Sequence, residues 1–83
     1  MNELDPQSIV PQYKQLKDLL LQEIKEGIYK ANQKIPTELE LSEKYQISRM
    51  TVRKALAELV EEGVLAKKQG KGTFVQEEKM TED

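Results

Sequence analysis

Arg49, Arg53 and Lys54 stand near the start of segment 48–63, and Glu58, Glu61 and Glu62 stand near its end. For a helix this is the unfavourable arrangement. Aligned peptide dipoles leave partial positive charge at the N-terminus and partial negative charge at the C-terminus. Each misplaced charge costs about 0.3–1 kcal/mol at low salt. A local rule broken this consistently points to a face kept for a ligand. Guanidinium groups leading a helix can pair with phosphates or bind guanine O6 and N7 bidentately, and Thr51 can donate to phosphate or meet a thymine methyl. Arginines on helices are ordinarily solvated surface. Here a second basic element follows, Lys67-Lys68-Gln69-Gly70-Lys71.

Glycine at the tip of that element permits positive φ and lets backbone approach a ligand closely. Lysines and exposed amides beside it suit phosphate or a narrow minor groove. The plainer reading is a tight turn with solvated lysines. Gly70-Lys71-Gly72-Thr73 is not a nucleotide-binding P-loop, which needs G-x-x-x-x-G-K-[ST] before a helix. Residue 65 is Leu, residue 72 is Gly, and a strand pattern follows. The carboxylates Glu38, Glu40 and Glu43 read as a capping box plus solvated helix surface, not a metal site. The chain has no cysteine and no histidine. That removes disulfides, thiolate ligands and the usual general base, and no nucleophile has a supporting constellation, so an enzyme is not expected. No cofactor is expected.

Several elements must position these groups. After Pro11, the residues Tyr13, Leu16, Leu19, Leu20 and Ile24 recur at three- and four-residue spacing and define one apolar helical face, with Gly27 as its stop. Pro11 suits a first helical position. The acids Asp18, Glu23 and Glu26 among its lysines weigh against a membrane-surface helix. Residues 28–33 read as a loop, and Lys34-Ile35 as a brief strand. Thr37 followed by Glu40 is a capping box opening a short second helix, with Leu39, Leu41 and Tyr45 as its apolar side. Gln46-Ile47 is a tight connection. Ser48 caps a third helix, and Ile47 with Val52 makes a hydrophobic staple. Val52, Ala55, Leu56 and Leu59 form its buried side, with Arg49 and Arg53 about 40° apart on an edge of it. Met50 and Lys54 lie farther round, and Gly63 is its natural stop. Two short strands around Gly70-Lys71-Gly72 then read as a hairpin.

Eighty-three residues with a net charge of −2 make one small domain. The charge is polarised. Residues 44–75 carry seven basic and three acidic residues, a net +4, whereas the rest of the chain is −6. The distribution, not the sum, governs attraction to a polyanion. There is no apolar run of membrane-spanning length and no secretory pattern at the N-terminus, so a cytoplasmic protein is expected. Residues 1–10 read as a flexible lead, 11–76 as the domain, and 77–83 as the start of a linker.

Five strings occur in order: Pro11-Gln12-Tyr13-Lys14-Gln15-Leu16, Lys34-Ile35-Pro36-Thr37-Glu38-Leu39-Glu40-Leu41, Ile47-Ser48-Arg49-Met50-Thr51-Val52-Arg53-Lys54-Ala55-Leu56, Glu62-Gly63-Val64-Leu65 and Gln69-Gly70-Lys71-Gly72-Thr73-Phe74-Val75. Together they closely resemble the N-terminal DNA-binding domain of GntR-family bacterial transcription regulators. Ser48–Arg53 and Gly70–Val75 look most like the HutC subfamily. The resemblance implies a mainly α fold with a small β-hairpin: a winged helix-turn-helix of three helices and a two- to three-stranded antiparallel wing. It also implies a homodimeric regulator, a repressor by expectation, on palindromic double-stranded DNA. A small-molecule effector would bind only through a C-terminal domain absent from this sequence.

Expected DNA contacts, combining the resemblance with helix-turn-helix docking, are Thr37, Ser48, Arg49, Met50, Thr51 and Arg53 near the major groove. Lys68, Gln69, Gly70 and Lys71 would serve the wing in the minor groove. Leu39 stands where many members carry a DNA-contacting arginine. The rival class is a winged helix that docks onto another protein, whose binding would resist salt where DNA binding falls steeply.

Overall fold

A computed structural model describes residues 4–76. Residues 1–3 of the expected lead and the expected linker 77–83 lie outside the described residues. The element order is α1 (Gln12–Lys25), α2 (Glu38–Tyr45), α3 (Arg49–Glu61), β1 (Leu65–Lys68) and β2 (Gly72–Val75). This is the three-helix winged arrangement that the patterning predicts.

In α1 the apolar stripe faces inward. Leu16 and Leu20 are fully buried, with Tyr13, Leu19, Leu21 and Ile24 packed at the margin of the same core. Pro11 caps the helix rather than opening it: its ψ of 149° is extended, and its carbonyl accepts from the amides of Lys14 and Gln15. At the other end Gly27 takes φ +84°, so its amide reaches Ile24 O and the Ile28 amide reaches Glu23 O. Those two bonds satisfy carbonyls that the helix end would otherwise leave open. The segment before α1 has contacts that patterning did not foresee. Gln15 accepts from the Asp5 amide at 2.7 Å and donates to the carbonyls of Asp5 and Val10, while Leu4 packs against the core.

The capping box opens α2 as expected. Thr37 Oγ1 accepts from the Glu40 amide at 3.1 Å, and Glu40 Oε1 accepts from the Thr37 amide at 2.9 Å. Leu41 and Tyr45 are buried, but Leu39 is half exposed. Its assignment to the apolar side was wrong for a geometric reason: two residues on a helix turn by about 200°, so Leu39 and Leu41 point in opposite directions. Gln46 ends α2 in the left-handed conformation (φ +57°), which turns the chain at once into α3.

Ser48 caps α3 by accepting from the Thr51 amide at 3.1 Å. Val52, Ala55, Leu56 and Leu59 are buried, and α3 packs against α1, α2 and β1. Ile47 joins the same apolar cluster as Val52, as a staple requires. The hairpin pairs Leu65 with Val75 and Lys68 with Gly72, leaving Gln69, Gly70 and Lys71 as its tip. The expected third strand is a single antiparallel bridge, Lys34 to Phe74, flanked by bonds from the Ile35 amide to Thr73 O and from the Val75 amide to Gln33 O. Leu65, Val75 and Ile35 close the core from the wing side.

Leu59 is fully buried whereas Met50, on the same helix, is largely exposed. Urea unfolding of Leu59→Ala is therefore expected to show a loss of about 2–5 kcal/mol, with Met50→Ala within about 0.5 kcal/mol of wild type.

Candidate nucleic-acid interface

With its apolar side buried against three neighbours, α3 presents its other side outward. Arg49, Met50, Arg53 and Lys54 are exposed there, and Thr51 is half-buried. Ser48 and Thr51 share a 2.8 Å hydroxyl–hydroxyl bond in addition to the cap. Ser48 is thus first a structural group, and Thr51 is held in one orientation beside it. Thr51 and Met50 border a hollow with Pro11, Gln12, Tyr13 and Lys54, where α3 meets the start of α1. The Lys54 ammonium lies 4.6 Å from the centre of the Tyr13 ring, within cation–π range.

Arg49 and Arg53 converge on a residue that patterning left in solvent. Glu38 accepts from Arg53 Nη2 at 3.1 Å and from Arg53 Nε at 3.3 Å, and its carboxylate is 4.0 Å from Arg49 Nη2. Its side chain is only 22% exposed, so it is not the solvated helix carboxylate expected. The Arg53 hydrogen bonds, then the nearby charges of Arg53, Lys67 and Arg49, hold the Glu38 carboxyl below the usual carboxylate range.

The reversed charges of α3 find partners on other elements. At its far end Lys17 of α1 bonds Glu58 at 3.1 Å and also bonds Glu62, and these two raise the Lys17 pKa, Glu62 the more strongly. Two of the acids that oppose the α3 dipole, Glu58 and Glu62, are therefore partly neutralised from α1, and Arg49 and Arg53 at its start are partly neutralised from α2.

The wing adds a second basic edge, arranged differently from the expectation. Side chains alternate across a strand. Leu65 is buried, so Lys67 shares its inward face, and Lys67 joins Glu38, Arg53 and Thr73 around a cleft of about 210 Å³ between α3 and the wing. A neighbouring hollow of about 320 Å³ is lined by Thr37, Leu39, Arg49, Gly72 and Thr73 together with Glu38 and Lys67. Thr37 and Arg49 are thus brought together with the base of the wing. Lys68 points to the other face, its ammonium 5.0 Å from the Phe74 ring centre. Gln69 and Gly70 border a hollow with Lys67, and Lys71 is exposed. Gly70 has φ +79°, and the Lys71 amide closes the tip on Lys68 O at 2.9 Å.

Sequence reasoning missed two members of this surface, Glu38 and Lys67. Counting alternation outward from Leu65 would have found Lys67. Among the described residues no helix is long and apolar enough to cross a membrane.

Several known proteins are similar to this chain. An uncharacterized HTH-type transcriptional regulator, YurK, of Bacillus subtilis (strain 168) is 53% identical over 73 residues, covering 88% of this chain and 30% of that protein. The histidine utilization repressor of Klebsiella aerogenes is 42% identical over 69 residues, covering 83% of this chain and 29% of that protein, which accords with the HutC-like strings. The chain thus spans under a third of the length of these curated relatives. A crystal structure of AraR(DBD) in complex with operator ORX1 superposes with a TM-score of 0.82 at 43% identity, over 88% of this chain and 93% of that one. Residues 12–75 match the description "Bacterial regulatory proteins, gntR family". From its first helix to the end of its wing, the chain belongs to the GntR family.

Proposed function

We propose that this chain is the sequence-specific DNA-binding domain of a bacterial transcription regulator that acts as a repressor. The start of α3 enters the major groove and the wing tip enters the adjacent minor groove. The observation that carries the reading is an outward surface on which the α3 arginines meet Lys67 and Thr73 of a wing whose glycine tip carries a further lysine. Arg49 and Arg53 read bases; Thr37, Ser48 and Thr51 lie where helix starts meet phosphate; Met50 faces the groove beside them. Lys68 and Lys71 engage backbone charge, and Gln69 and Gly70 approach the minor-groove floor. Lys67, on the inward face of the wing, joins them.

The solved AraR domain with its operator and the repressor named among the relatives support this assignment. The relatives extend well beyond the matched stretch, which leaves room for a C-terminal domain that binds a small-molecule effector and pairs two subunits on a palindromic operator. Residues 77–83 would begin the linker to it, and 1–10 would form the lead. The protein works in the cytoplasm and carries out no catalysis.

Selection from a random duplex library, followed by titration of the enriched sequence, tests the reading. Arg49→Ala and Arg53→Ala are each expected to weaken binding to the enriched duplex about 5- to 150-fold and to blur preference at one base position. Lys68→Ala and Lys71→Ala are expected to weaken binding to all duplexes alike, each lowering the slope of log affinity against log salt by about one. Lysine variants that changed base preference while the arginine variants did not would overturn this division of roles. Binding insensitive to salt would point instead to a protein partner.

A further inference from the structure

Glu38 is an acid in the middle of a surface read here as a polyanion-binding face. Its position is not loose. It is the first residue of α2, and the Thr37–Glu40 capping box fixes the backbone on which it stands. Its carboxylate lies in the seam between α2 and α3, shared by the cleft and the neighbouring hollow at the base of the wing. From there it grips Arg53 through two donors, Nε and Nη2, while Arg49 stands at 4.0 Å.

A guanidinium carries five N–H donors in a rigid plane. With the Nε–Nη2 edge occupied by Glu38, the outer edge of Arg53 remains for a ligand, and the two-point pairing restrains the plane. Among the described residues the Nη1 group has only a long contact, 3.7 Å, to Met50 Sδ. The outer edge still presents two parallel donors, which suit the paired acceptors of guanine. The same carboxylate repels phosphate oxygens that would otherwise compete for a free guanidinium. Both effects favour a base edge over the backbone.

We propose, on the reading that α3 binds duplex DNA, that Glu38 is a specificity-determining positioning residue: it aims Arg53 at a base edge and lowers the attraction of α3 for non-cognate duplexes. Glu38 touches no base itself. It sharpens discrimination through Arg53, so its effect on the ratio of cognate to non-cognate affinity must vanish when Arg53 is absent.

The experiment measures the affinity of the 83-residue chain for the duplex enriched by the wild-type protein and for a scrambled duplex of equal length and composition. Four proteins are compared: wild type, Glu38→Gln, Arg53→Ala and the double variant. Glu38→Gln keeps the shape of the side chain and removes its charge, and thermal unfolding checks that each variant is folded. The expected result is tighter binding of Glu38→Gln to the scrambled duplex and a fall of roughly fivefold or more in the ratio of the two affinities. In the Arg53→Ala background, Glu38→Gln is expected to leave the ratio unchanged. A merely structural role would change both affinities by one factor. If the ratio stays constant in Glu38→Gln, or still falls in the Arg53→Ala background, the inference is overturned while the DNA reading stands. If wild type shows no preference for any duplex, the DNA reading itself fails and the inference falls with it.

Discussion

The buried side of α3 is the constraint on which the rest of the molecule depends. Val52, Ala55, Leu56 and Leu59 are all removed from water, and the helix is held by α1, α2 and the first strand of the wing at once. Burying side chains of that size stabilises by about 1.5–3 kcal/mol each for the larger ones, and a close-packed interior resists rotation of the helix about its axis. The outward residues are then presented at fixed angles. Arg49 and Arg53 sit one turn apart on the rim of the buried stripe because Val52 and Leu56 leave them no other place. Packing of the core thus decides which side chains a ligand can meet.

Charge is organised on the same frame. Considered alone, α3 opposes its own dipole at both ends. In the fold, Lys17 joins Glu58 and Glu62 at one end, and Glu38 joins the arginines at the other. These pairs, each with at least one partner open to solvent, contribute little to stability individually. Their consequence is geometric. The acidic end of α3 is tied to α1, while the basic end is held by one acid at the base of the wing. Positive charge is therefore concentrated where α3 and the hairpin come together, although the chain as a whole is negative.

Most of the fold was legible because its signals are local. The stripe of α1, the capping box at Thr37 and the cap at Ser48 each occupy a few consecutive residues, and the structure realises them. Leu39 was misread because an apolar residue near two others was counted without its angle. Lys67 and Lys68 are adjacent and chemically identical, so only the burial of Leu65 tells which of them faces α3. The Glu38–Arg53 pair spans fifteen residues and two helices, and the Lys17–Glu62 pair spans forty-five. No periodicity or spacing rule encodes such pairs; they arise only once α1, α2 and α3 are packed.

The polarised charge also bears on how such a surface would meet its ligand. Residues 44–75 carry +4, and the remainder carries −6. A uniformly basic domain would adhere to a duplex in many orientations, since each phosphate contact is sequence-independent. Here basic and acidic residues are segregated along the chain, so attraction is strongest in orientations that bring the α3 start and the wing toward the polyanion. Glu38 continues that logic inside the surface, on the scale of a single guanidinium. The long-range field selects an approach, the packed helix sets the angle, and the carboxylate in the seam settles which edge of Arg53 is offered. The same acid that weakens general adhesion leaves the remaining donors better placed for a base. Affinity is given up for discrimination at each of these scales.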